Sequence, residues 1–212
     1  MSGFDRVRID GPFKVRLTTG VAPFARASGS AAAIDGLAVE VQGRTLVVRV
    51  NRSTWGGYPG EAKGPVEVVI GTHELSAALV NGVGSLSIDK VRGLSFDLAV
   101  QGSGSATIDA VAVDQMKIGI AGSGNIRVAG AAPRLNAVVR GISSLDASGL
   151  STKDATIGAQ GAATVKAAVS GTAKVEGQGP ASIELSGSPA CTTRLQGSAS
   201  VSGCRQSGSA SR

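Results

Sequence analysis

A glycine-led segment that returns at nearly constant intervals constrains this chain more than any other feature. Gly82-Val83-Gly84-Ser85-Leu86-Ser87-Ile88-Asp89 recurs as Gly102-Ser103-Gly104-Ser105-Ala106-Thr107-Ile108-Asp109 and again as Gly122-Ser123-Gly124-Asn125-Ile126-Arg127-Val128-Ala129. Looser copies begin at Gly141, Gly161, Gly179 and Gly197, so the intervals run 20, 20, 19, 20, 18 and 18 residues. A period of this length marks a stack of similar units, each burying its apolar face against its neighbours.

Every period carries three apolar segments. Leu94, Phe96, Leu98 and Val100 alternate with Ser95, Asp97 and Ala99, which places the two sets on opposite faces of a strand. Met116 to Ile120 and Leu135 to Val139 repeat that segment. After each corner glycine come Leu86/Ile88, Ala106/Ile108, Ile126/Val128, Leu145/Ala147, Val165/Ala167 and Ile183/Leu185. A shorter mark follows at Val91, Val111, Ala131, Leu150 and Val169. Three marks per period predict a three-sided coil, hence an all-β fold: a parallel β-helix, or solenoid, over residues 75–204. Its expected hand is right, since parallel crossovers strongly favour it. Glycine suits the corners because it accepts positive φ and close backbone approach. The 31 glycines and the 3% aromatic content agree with many thin layers rather than one large globular core.

Residues 1–74 alternate with a looser period. Phe13-Lys14-Val15-Arg16-Leu17 reads as a strand, and so does Val66 to Ile70. Leu37 to Val41 and Leu46 to Val50 bracket a hairpin-like turn at Gln42-Gly43-Arg44-Thr45. This part is expected to be an irregular cap or a set of less regular coils, in one continuous domain with the repeats. Residues 205–212 read as a flexible tail. Gln160, Gln178 and Gln196 each precede a corner glycine, as Gln101 does, and predict a ladder of stacked amides.

Chemistry is sparse. The net charge of +6 is scattered, much of it over Arg6, Arg8, Lys14, Arg16, Arg26, Arg44, Arg49 and Arg52, with no basic run and no interleaved aromatics. That pattern argues against a nucleic-acid partner. No apolar run is long enough to span a membrane. The single histidine, His73, beside Glu74, reads as a surface residue, and the Gly-x-Gly corners precede strands rather than the helix a phosphate loop needs. No cofactor is implied. Asp89 and Asp109 occupy equivalent places in adjacent coils and are the metal candidates, but the series breaks at Ala129 and Ser148, and Lys90 adjoins Asp89. Trp55 and Tyr58 lie in a Gly-rich loop and are the ligand-binding candidates, of the kind that stacks on sugars; the competing role for Trp55 is to cover an apolar edge. Cys191 and Cys204 bracket the last half-coil. Their spacing suits a disulfide pinning that coil better than zinc, with two buried thiols as the alternative. A disulfide favours an oxidising compartment. Met1-Ser2-Gly3 leads directly into a strand with no signal peptide, so the chain is either cytosolic or preceded by a removed leader, and the cysteines favour the second.

The stretch from Phe4 to Leu17, the strands from Val66 to Leu79 and the Gly-Ser-Gly corners, clearest at Gly122-Ser123-Gly124-Asn125-Ile126, resemble the bacterial family described as putative auto-transporter adhesin, head GIN domain. The resemblance runs from about 4 to 204. It implies a β-helix exported to the periplasm, outer membrane surface or medium, with adhesion suggested by the name, and it carries over no catalytic residues. The expected function is therefore a non-enzymatic binding, adhesion or structural module of the cell envelope. Its expected partner is an envelope or extracellular polysaccharide or another surface protein, with no oligomeric state implied. The alternative is a polysaccharide lyase or hydrolase centred on Asp89 and Asp109.

Overall fold

The structure is a computed structural model that describes residues 3–51 and 66–205. Among these, sixteen strands join into one hydrogen-bonded sheet that coils on itself. The chain enters through β1 (Arg6–Asp10), turns at Gly11 and continues as β2 (Lys14–Thr19). It then departs from the repeat through β3 (Phe24–Ser28), a five-residue helix α1 (Ala31–Asp35) and the strands β4 (Leu37–Gln42) and β5 (Thr45–Val50). The coil resumes with β6 (Glu67–Thr72) and β7 (Ala77–Gly82).

Pairing shows that the chain does not start at the end of the stack. Strand β1 lies between β5 and β7, with Arg6 opposite both Thr45 and Ala77. The β2 strand likewise pairs with β6 and with the strand that follows β7. The outermost layer at this end is antiparallel: β4 folds back on β5 through a turn at Gly43, and β3 runs against β6. Antiparallel return strands need only a tight turn, so they can close a stack where a further parallel coil would need a long crossover. Asp5, almost fully buried, ties this layer to the coils: Arg44 donates to its carboxylate from Nε (3.0 Å) and Nη2 (2.5 Å), and Ser76 Oγ donates at 2.8 Å.

From Ser85 onward the coils are regular. They comprise β8 (Ser85–Gly102), β9 (Ser105–Gly122), β10 (Asn125–Ala131), β11 (Arg134–Gly141), β12 (Ser144–Gln160), β13 (Thr164–Gln178), β14 (Ser182–Ser186), β15 (Ala190–Gln196) and β16 (Ser200–Ser202). Each segment pairs in parallel with its counterpart one coil on, giving a β-solenoid of about six turns. Inward side chains stack in columns, one of which runs Val48, Ile9, Val80, Val100, Ile120, Val139, Ala159, Gly177 and Leu195. The column tapers toward the C-terminal end, where Leu195 bends over the space left by Gly177. Cys191 and Cys204 form a disulfide that joins β15 to the segment after β16.

Two sequence expectations change here. Leu94 does not face the core with Phe96, Leu98 and Val100; it is 79% exposed, because Gly93 takes φ +150° and the chain is still turning at the corner. Ala131 is exposed as well, and Ala132 is the buried residue of that coil. The 19-residue interval is the cause: a register shift between Val128 and Gly130 sets Gly130, not Ala131, opposite Val111.

Candidate ligand-binding groove

Strand alternation sends every second residue of β5, β1, β7, β8, β9 and β11 outward on one side of the solenoid. Two outward columns result. One reads Thr45, Arg6, Ala77, Asp97, Lys117 and Asn136; the other reads Val47, Arg8, Leu79, Ala99, Gly119 and Val138. Outward positions of a solvated strand are ordinarily polar. The second column is instead apolar or bare except at Arg8. Val47 is buried, Leu79, Ala99 and Gly119 are half-buried, and Val138 is 37% exposed. The short residues Ala77, Ala99 and Gly119 sit low between taller neighbours, which opens a groove of about 670 Å³. With strands about 4.8 Å apart, six of them make a groove roughly 24 Å long, parallel to the solenoid axis. A smaller hollow of about 140 Å³ adjoins it over Ala99, Gly119 and Val138, with Gln101 and Arg140 on its far rim.

The charges around the groove are unequal in their commitments. Arg8 Nε lies 3.0 and 2.8 Å from the two oxygens of Asp10, and Asn81 Nδ2 donates to that carboxylate at 2.6 Å. Lys117 Nζ and Asp97 Oδ1 stand 3.9 Å apart, at the outer limit of an ion pair. Glu40, near the Gln42 end, accepts from Arg49 Nε and from Gln42 Nε2, both at 2.8 Å; these bonds, that of Arg49 foremost, hold its carboxyl below the usual value. Among the described residues, Arg6 has no ion-pair partner, so it is the free cation of the groove.

Of the residues singled out from sequence, Asp89 and Asp109 lie outside the groove. Trp55 and Tyr58 lie outside the described residues. Asp89 and Asp109 do come side by side in adjacent coils, since Ile88 pairs with Ile108 and Lys90 with Ala110. Asp89 Oδ1, however, already accepts from the backbone N–H groups of Thr19 (3.0 Å) and Lys90 (2.6 Å), so it caps the end of β2. No group of three or more metal-ligating side chains occurs among the described residues. Gln160, Gln178 and Gln196 stand in register with Arg140, and Gln178 Nε2 donates to Gln196 Oε1 at 3.4 Å. His73 is exposed at the end of β6, where its carbonyl accepts from Gly20. The groove itself was hidden from sequence reasoning. Leu79, Ala99 and Val138 sit at outward positions of successive coils, and that is the signal a register-aligned reading can detect.

A family model described as putative auto-transporter adhesin, head GIN domain, matches residues 3–189. Among solved structures, a putative adhesin from Bacteroides fragilis is similar over 94% of this chain and 91% of its own, with TM-score 0.81 and 16% identity. A putative lipid binding protein from Parabacteroides distasonis matches 95% of this chain and 92% of its own, with TM-score 0.73 and 20% identity. A putative adhesin from the same organism covers the same shares, with TM-score 0.70 and 18% identity. At such identities the likeness establishes the fold. No curated protein matches the chain.

Proposed function

The chain belongs to the putative auto-transporter adhesin, head GIN domain family, and from that premise we propose that it is an exported, non-enzymatic binding module of the bacterial cell envelope whose ligand lies in the groove over Leu79, Ala99 and Gly119. The observation that carries this reading is the run of apolar and bare outward positions at Leu79, Ala99, Gly119 and Val138 in successive coils. Apolar surface left on the outside of a rigid scaffold is costly unless something covers it. A solenoid face is a rigid support for such a surface. Among the described residues the groove lining holds one carboxylate, Asp97, set beside Lys117, and no nucleophile with an adjacent base, which suits retention of a ligand rather than cleavage. The Cys191–Cys204 disulfide supports export, because such bonds persist in oxidising compartments. That the similar Parabacteroides distasonis protein is described as lipid binding accords with a groove of this make-up. Trp55 and Tyr58 are proposed as a second contact, to be tested by replacing both with Ala.

Co-sedimentation with isolated envelope fractions and with extracellular polysaccharides tests the proposal, with reducing ends and unsaturated products assayed in the same tubes. Retention without products is expected. Product formation would overturn the non-enzymatic reading, and no retention on any fraction would overturn the binding module.

A further inference from the structure

We infer that the groove takes a single-chain anionic amphiphile, a long-chain carboxylate, with its alkyl chain across the coils over Leu79, Ala99, Gly119 and Val138 and its carboxylate at Arg6. The inference rests on the groove's being the binding site, and deepens that reading by naming the ligand class. From β7 to β11 the floor extends over three strand spacings, about 14 Å, without a polar side chain in the central column, and Arg8 stands at its β1 end. Among the described residues the lining has no aromatic ring on which a sugar polymer would stack, and from Leu79 to Val138 the central column offers its hydroxyls no side-chain partner. A peptide crossing the strands would set backbone N–H and C=O groups against an apolar floor, at a desolvation cost nothing there repays. An alkyl chain has no polar group to satisfy over that distance and gains from leaving water.

The head group follows from the charges. Arg8 is committed to Asp10, and Lys117 faces Asp97, whereas Arg6 projects outward from β1 with no ion-pair partner among the described residues and with Thr45 beside it. A guanidinium pairs with a carboxylate through two parallel hydrogen bonds, the strongest polar contact this rim can offer. Arg6 stands on β1, one strand beyond Leu79, where the apolar run through Ala99 and Gly119 to Val138 begins, which sets the polarity of the bound chain: carboxylate at β1, methyl end at β11.

The test is calorimetric titration of the full chain with sodium myristate below its micelle concentration, followed by laurate and decanoate. One site per chain is expected, with affinity falling by up to about fourfold for each buried methylene removed. Three variants locate it. Gly119→Leu fills the groove, and a Cβ there meets no atom within 4 Å, so the fold is left intact. Gly158→Leu makes the same change two coils along and outside the groove, where a Cβ also meets nothing. Arg6→Glu reverses the head-group charge. Gly119→Leu and Arg6→Glu should each weaken myristate at least tenfold and Gly158→Leu should not. Absence of saturable binding, or equal affinity in all variants, would overturn the inference, as would methyl myristate binding as tightly as the acid. Envelope retention separates this from the parent reading: if Gly119→Leu loses retention while the wild type ignores myristate, the groove stands and the ligand class falls. If Gly119→Leu keeps retention, the groove itself falls.

Discussion

Gly122 meets two demands at once. Its φ is +117°, and a Cβ added there would lie 2.5 Å from the carbonyl oxygen of Gly102 in the preceding coil. An alanine must therefore carry an unfavourable backbone conformation and displace a backbone atom. Gly122→Ala should cost about 2–4 kcal/mol in urea unfolding, whereas Gly158→Ala, with open space and no positive φ, should change stability by no more than about 0.5 kcal/mol. The second corner position obeys a looser rule. Gly84, Gly104 and Gly124 leave no room for a Cβ, but Ser143, Ala163 and Ala181 occupy the same place and are buried. Ser143 uses its hydroxyl there, 2.9 Å from the Gly122 carbonyl and 3.0 Å from that of Arg140. Asp146 shows how outward charge is arranged between coils: Arg127 lies 3.5 Å from it, and Lys166 pairs with Glu184 at 3.2 Å. The Ser148 hydroxyl, then its N–H and the nearby Arg127 and Lys166, hold the Asp146 carboxyl below its ordinary value, against partial burial. The folded state therefore favours the charged form. Its contribution is complete above the unfolded value, near pH 4, and is lost as pH falls through the lower folded value. Asp146→Asn should cost about 1 kcal/mol or less at pH 7, with the difference vanishing in strong acid when urea midpoints are compared.

At the scale of strands and coils, much was legible because a parallel solenoid repeats its constraints. The intervals between glycines and the period-two alternation located the regular strands, since each inward column demands apolar residues at fixed offsets. Where one coil is a residue shorter, that offset fails, which is why the fixed offset points to Ala131 while Ala132 is the buried residue. Leu94 misled for a related reason: alternation continues through a corner in sequence but not in space. The order of the N-terminal strands was beyond reach, because local pattern cannot show that β5 stacks outside β1. The two ends also differ. One is closed by β3 and β4; at the other, β15 and β16 each pair on a single side, and the Cys191–Cys204 bond is what holds the last coil. Closing a loop of this size contributes about 3 kcal/mol. Because a solenoid can fray from its end, that stability belongs to the last coil rather than to the whole. Hydrogen exchange after reduction and alkylation should show protection lost in β15 and β16 and kept in β9 and β12. Uniform loss across all four would contradict this.

At the scale of the whole molecule, one side of the solenoid departs from the rule that outward residues are polar. The departure draws on strands from the N-terminal layer as well as from the regular coils, since Val47 and Arg8 share a column with Leu79, Ala99 and Val138. The candidate site was therefore less legible than the fold: about a third of its lining, the part from β1, β4 and β5, depends on a stacking order that no local motif encodes. Sequence motifs pointed instead to aromatic residues and paired carboxylates, types that carry chemistry wherever they stand. The measurement that bears most directly on the account is retention of the protein on isolated envelope fractions, compared among the wild type, Gly119→Leu and Gly158→Leu. A binding module that works through this groove predicts that wild type and Gly158→Leu sediment with the envelope while Gly119→Leu stays in solution, with no products released. Equal sedimentation of all three variants would contradict it.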